Sequence, residues 1–239
     1  MVGRRVGYWV RASNAEKAQR ASGPSAWTWK RRARSREGHT PTEAERRQRT
    51  RFSTHNAAPP GRAVSGYDDR VSTPTRDRPR LPKGYIKDTP KGMLAWTAAR
   101  KLLTTAPYVW LASTNDDGKP HLIQSWAVWV DDALYFEGSE KTRWAMNLSR
   151  DARLSFGMQL GDLAVYGDAI ADVVRGPDRR LATKIAKQYT AKYGRGFKYR
   201  PKPEQYEKSH VFRGRPIKLI AFDVKKFETS AARFTFVEA

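Results

Sequence analysis

Cysteine does not occur in the 239 residues. Disulfides and thiolate metal ligands are therefore excluded, and the redox compartment is left unmarked. Histidine is scarce: His39, His55, His121 and His210 stand far apart, without the i, i+4 or short-gap spacing of a metal site, so no metal centre is expected. No run of ~18 apolar residues exists, which argues against a spanning helix. The N-terminus opens on Arg4 and Arg5 but lacks a continuous apolar core and a small-residue cleavage pattern. A secretory signal is thus not expected, and the cytoplasm is the default location. A Ser/His/Asp or paired-carboxylate constellation is also missing, so no side chain stands out as nucleophile or general acid.

What the chain has in excess is positive charge, a formal net of +22. It is unevenly spread: residues 1–80 hold 19 Lys and Arg against 7 Asp and Glu, and the rest hold 27 against 17. Of the 19, 17 are Arg, whereas beyond residue 80 Lys outnumbers Arg 15 to 12. Residues 1–80 show no sustained period, and Ser, Thr, Pro, Gly, Ala and Arg separate Trp9, Trp27 and Trp29. Such a segment buries too little apolar surface to offset its ordering entropy, so it is expected to be a disordered basic tail, with at most a short helix near 41–51. Three roles fit it. It is a basic arm for nucleic acid or an acidic surface, or an organelle transit segment weakened by its acidic residues. Alternatively it is translated GC-rich upstream sequence, with Val71 or Met93 as the true start. Mean hydropathy of −0.76 agrees with one folded domain, residues 81–239, and a second part that does not pack.

In that folded part a Pro/Gly-punctuated lead-in precedes a helix over residues 93–104, with Leu94, Ala98 and Leu102 as its core stripe. "PYVWLASTNDDGKPHLIQSWAVWVDDALYFEG" reads as three strands, turning at Asp116–Gly118 and at Asp131–Asp132. Alternation sets Leu122, Gln124, Trp126, Val128 and Val130 on one face and Ile123, Ser125, Ala127 and Trp129 on the other. A corner, "FEGSEKTRWAMNLSRD", leads into a helix. Two strands, "ARLSFGMQL" and "LAVYGDAIADVV", and a helix from Pro177 to Gly194 follow. Next come a basic aromatic loop and two last strands, "PIKLIAFDVKKFE" and "ARFTFVE". Antiparallel hairpins with helices at the corners suggest a closed or nearly closed barrel.

The corner has its own chemistry. A helix start leaves backbone N–H groups without partners and favours an anion. Arg143 adds a planar fork suited to phosphate oxygens, and Ser139, Lys141 and Thr142 add donors within one turn. The bland alternative has Ser139 capping the helix, the cations solvated, and Trp144 and Leu148 packed in the core.

These pieces in this order resemble the pyridoxamine 5'-phosphate oxidase-like, flavin-binding split-barrel superfamily. The likeness is carried by "WLASTNDDGKPHLIQSWAVWVDDALYFEG", "KTRWAMNLSRDARLSF" and "FETSAARFTF". It implies a mainly β split barrel of antiparallel strands with inserted helices. It also implies a homodimer and a flavin phosphate held at the corner. Thr142 and Arg143 match the family's hydroxyl and arginine positions, while Trp144 stands where the family has lysine and Gly138 where it often has threonine. Ser139 and Lys141 lie close by as substitutes. Ser125 and Ala127 match the small residues beneath the flavin ring, and Asn147 the frequent Asn before Leu. Arg233 and Phe234 resemble an Arg-aromatic pair offered by the partner subunit. His121 opens the second strand, within reach of cofactor or substrate or simply at the surface. The basic segment from Tyr193 to Pro216 closes over an anionic ligand or is a solvated loop.

The expected function is an FMN-dependent oxidoreductase, with an 8-hydroxy-5-deazaflavin coenzyme as the alternative cofactor. A non-catalytic cofactor-binding protein and a nucleic-acid-associated protein that uses the tail compete with it. Specific pyridoxamine phosphate oxidase activity is not expected, since that enzyme's C-terminal arginine signature is missing.

Overall fold

A computed structural model describes residues 73–236, and most of the expected tail lies outside them. Order already begins ahead of Leu81: β1 (Thr75–Asp77) pairs antiparallel with β9 (Ala232–Thr235), the last strand. Between them come α1 (Trp96–Thr105), β2 (Val109–Thr114), β3 (Pro120–Ser125), β4 (Ala127–Val130) and β5 (Ala133–Phe136). The corner and α2 (Arg143–Arg150) lead to β6 (Arg153–Leu160), β7 (Leu163–Arg175), α3 (Arg179–Tyr193) and α4 (Pro203–Glu207). The chain returns through β8 (His210–Asp223), a 3-10 turn at Val224–Lys226 and α5 (Phe227–Ser230).

Antiparallel pairing runs β3–β2–β6–β7–β8, and β8 pairs with both β9 and β5, which pairs with β4. Since β3 and β4 are one stretch of chain broken only at Trp126, the sheet closes on itself through residues 120–130. The first half of that stretch bonds to β2 and the second half to β5. The result is a split β-barrel with inserted helices, the architecture the resemblance implied.

Local chemistry explains the corners. Asp131 and Asp132 take φ of 47° and 53°, the left-handed pair that a two-residue hairpin needs. Gly118, at φ 81°, supplies the same freedom in the β2–β3 turn. Asp178 caps α3 by accepting the Leu181 N–H at 2.8 Å.

The strand alternation sorts residues into two cores. Ala127, Trp129, Leu134, Phe136, Leu154, Phe156, Val165 and Leu219 fill the barrel. Val128, Val130 and Tyr135 point outward, against Ile185, Tyr189 and Tyr193 of α3 and Tyr206 of α4. The first helix differs from expectation. It spans Trp96–Thr105, and its buried stripe, continued past its end, is Ala99, Leu102, Leu103 and Ala106, the i, i+3, i+4, i+7 set. Leu94 lies ahead of it because its N–H is tied to the Ser230 carbonyl at 2.8 Å. The expected basic loop is also shorter. A short helix, α4, occupies part of it, and β8 begins at His210, since Val211 and Phe212 are buried and pair with Val174 and Val173. Among the described residues no helix is long and apolar enough to cross a membrane.

Candidate functional site

The β4–β5 register pairs Ala127 with Phe136. Two further steps would set Ser125 against Gly138. Instead β3 swings away, so that Ser125 pairs with Val109 of β2, and the chain after Phe136 turns into the corner. The hydrogen-bond ladder is thus left open between the end of β3 and residues 137–142, and sheet backbone that has lost its neighbour is a place where a ligand finds donors and acceptors.

On the corner side, Ser139 shapes a tight turn. Its Oγ accepts the Lys141 N–H at 3.2 Å, and its carbonyl accepts both the Thr142 N–H at 3.0 Å and the Thr142 hydroxyl at 2.8 Å. Thr142 is the N-cap residue of α2, yet its side chain does not cap, so the first-turn N–H groups have no side-chain acceptor. Ser139 therefore braces the turn rather than capping the helix. Charge around the turn is sorted. Glu140 is held by Arg175 through two bonds, of 2.6 and 2.9 Å, which keep its carboxyl below the usual range. The His210 Nε2 lies 3.1 Å from the Gly138 carbonyl oxygen, and its Nδ1 faces Glu140 at 3.6 Å. Lys141 and Arg143 are exposed and form no ion pair among the described residues. In the β2–β3 turn, Asp117 sits below its usual range, chiefly through Lys119 and in small part through Arg143. The free charge of the corner is thus positive. An uncapped helix start with two unpaired cations fits a phosphate monoester.

The two departures from the family pattern prove to be one packing event. Trp144 is buried between Phe136 and Phe212, at ring distances of 5.5 and 4.6 Å. A Cβ at position 138 would lie 2.4 Å from its Cζ2, so the indole covers Gly138 and requires glycine there. Leu148 is buried beside it, as the bland reading of α2 had it.

The other predicted residues separate. Ser125 is half-buried and donates its hydroxyl to the Trp126 carbonyl at 3.2 Å. Ala127 is fully buried in the barrel core, with no surface for a ring in the single chain. Its N–H donates to the Tyr193 hydroxyl at 3.1 Å, and its carbonyl accepts from Lys192 at 2.7 Å. Asn147 is buried and donates to Ser113 Oγ at 3.1 Å and Asn115 Oδ1 at 3.0 Å, which fixes α2 on the β2–β3 hairpin. His121 is half-buried opposite Ser113 on β3. Arg233, expected to serve a cofactor, forms a two-bond pair with Asp77 of β1. Phe234, its expected companion, is fully buried in the barrel core, 5.2 Å from the Trp96 ring.

One group beside the corner escaped sequence reading. Glu137, the residue after β5, is half-buried and accepts hydroxyl hydrogen bonds from Tyr206 and, at 2.7 Å, from Tyr199. Burial raises its carboxyl above the usual range against the pull of the two phenols. Nearby, burial draws the Lys192 ammonium down to about 8. The only sequence signal for Glu137 was a lone acid at an otherwise apolar strand end. A separate open groove along α1, lined by Arg100, Lys101, Thr104, Thr105 and Gln188, offers less. Its Thr104 and Thr105 hydroxyls are already bonded to the Arg100 and Lys101 carbonyls.

The fold and this opening define a split barrel with an anion-suited corner. Its chain path is similar to several solved structures. A conserved hypothetical protein from Mycobacterium tuberculosis is 24% identical, over 59% of this chain and 91% of that one, with a TM-score of 0.47. An F420 reductase is 19% identical, over 58% and 98%, with a TM-score of 0.39. A FAD-binding protein from Mesorhizobium loti is 18% identical, over 60% and 96%, with a TM-score of 0.39. No family model matches the chain, and no curated protein does.

Proposed function

We propose that the opening between β3 and the corner binds the phosphate of a flavin-type cofactor, FMN or the 8-hydroxy-5-deazaflavin coenzyme, and that the protein is an oxidoreductase. The observation that carries this reading is the uncapped start of α2 with Lys141 and Arg143 unpaired beside it. A bound flavin supplies the hydride chemistry, so the chain needs only to hold the phosphate, leave a ring face open and exclude water. Backbone N–H groups of the first helical turn, Arg143 and Lys141 are the phosphate donors, and Ser139 shapes the turn that presents them. Burial of Trp144 where a lysine would stand favours a second reading, a cofactor-binding protein without catalysis, because one cation of the grip is gone.

Titration of the full chain with FMN, and separately with the deazaflavin coenzyme, tests both. Uptake giving a band near roughly 450 nm supports FMN, and one near about 420 nm the deazaflavin. Arg143→Ala is expected to weaken binding about tenfold to a hundredfold, since it removes charge-assisted hydrogen bonds. Uptake without turnover of any reductant would leave the second reading, and no uptake at all would defeat both.

The outer face of the barrel sheet belongs to the same proposal. Trp110, Leu122 and Tyr166 are 49%, 59% and 46% exposed. The register Trp110–Gly157–Tyr166–Ile220 runs as one row across four strands, with Ala112 opposite Leu122 beside it. A row of exposed apolar side chains of this kind marks an association surface, and a second copy of the chain is the partner the resemblance implies.

A further inference from the structure

The segment from Gly194 to Lys202 joins the two sides of the opening. Tyr199 reaches both strands where they part: its hydroxyl donates to Glu137, the residue before the corner, and its ring lies 5.8 Å from Trp126, the residue between β3 and β4. Phe197 packs on Trp126 at 4.8 Å and on Tyr193 at 5.9 Å, and 42% of it is still exposed. The backbone is fixed as well. The N–H groups of Phe197 and Tyr199 both donate to the Tyr193 carbonyl, at 3.1 and 3.3 Å, and Lys198 sits at φ 55°, a left-handed conformation that a side chain adopts at a cost. On this held segment Arg195, Lys198 and Arg200 are exposed, and none has an ion-pair partner among the described residues. Several other exposed Arg side chains are engaged: Arg153 with Asp151, Arg175 with Glu140, and Arg179 with Glu204 and Glu207. Held backbone with free cations beside an exposed ring is preorganised for an anion that carries a flat apolar face.

We propose that residues 194–202 form the substrate-side wall of the opening and select a substrate that carries a carboxylate or phosphate on a planar ring system, with Lys198 and Arg200 as the anion contacts and Phe197 as the ring contact. This rests on the reading that the corner holds a flavin-type cofactor, because the cofactor then occupies the corner side and leaves the Tyr199 side to the second reactant. Glu137 is the positioning residue, since both of its phenol bonds clamp the wall to the strand that ends in the corner.

The probes are 2-naphthoate and its neutral counterpart 2-naphthamide, titrated calorimetrically into the full chain with and without saturating FMN. The wild type is expected to prefer naphthoate by about tenfold, the sum of two modest exposed ion pairs. Lys198→Gln with Arg200→Gln abolishes that preference and leaves FMN affinity unchanged, and Glu137→Gln lowers it and speeds tryptic cleavage after Arg195 and Lys198. A wild type without preference for the anion, or a preference that survives the double substitution, overturns the wall. FMN titration is read separately: failure of the wild type to take up flavin, with anion preference intact and lost in the double variant, defeats the cofactor reading and keeps the wall.

Discussion

Gly138 and Trp144 each removed a donor that the family pattern offers, and from sequence they looked like two independent losses. In the folded chain they are one contact, because the indole occupies the volume a Cβ would need. Overpacking at such a point distorts backbone or rotamers. Gly138→Thr is therefore expected to cost about 1–3 kcal/mol in urea unfolding. Combining it with Trp144→Leu should cost less than the two single changes added, with a coupling of at least about 0.5 kcal/mol. Strict additivity would show that the indole does not dictate the glycine. Ser139, Lys141, Thr142 and Arg143 were legible as a group because four nearby positions at a helix start must share one corner. Ser125, Ala127 and Asn147 were not separable in the same way, since alternation assigns a face but not the depth behind it. Ala127 lies wholly in the core and Asn147 bonds the hairpin.

The strap from Thr75 to Leu94 depends on a residue that composition placed in the tail. Arg78 donates to the Thr89 carbonyl at 2.8 Å, to those of Thr229 and Ala231 at 2.9 Å each, and to that of Lys91 at 3.1 Å. A planar guanidinium holds five N–H donors in a fixed fork, enough for these four carbonyls, whereas an ammonium has three. Asp77 adds its pair with Arg233, and β1 covers the edge of β9. Arg78→Ala should lower stability by roughly 2–4 kcal/mol and quicken amide exchange in residues 85–94 and 227–235, with Arg78→Lys recovering little. Unchanged exchange there would mean that the strap holds without its hub. Chains begun at Leu81 or at Met93 both lack this element, so the compositional boundary at residue 80 is a poor place to cut. The short helix α4 and the early start of β8 were hidden for a related reason: charged Lys and Arg masked the few apolar anchors, Tyr206, Val211 and Phe212, that bury there.

Across the molecule, the row from Trp110 to Ile220 leaves the large side chains of Trp110 and Tyr166 in water on strands β2 and β7. Homodimer formation through it predicts that Trp110→Glu with Leu122→Glu shifts the protein to the monomer in sedimentation velocity, with its thermal unfolding still cooperative. A wild type that sediments as a monomer at micromolar concentration would remove this face as a dimer surface. Flavin uptake by the monomeric variant would then tell whether the corner needs a partner subunit.

The hairpin turns and the sorting of Trp126, Val128 and Val130 from Ala127 and Trp129 were already written in the sequence, because these depend on short-range periodicity and on the φ tolerance of single residues. Closure of the sheet through residues 120–130, the opening where Ser125 and Gly138 fail to meet, and the clamp of Tyr199 and Tyr206 on Glu137 were not. Each joins residues distant in sequence, and the free energy that selects such contacts, burial of Trp144 and of the tyrosine cluster, exists only once the barrel has closed.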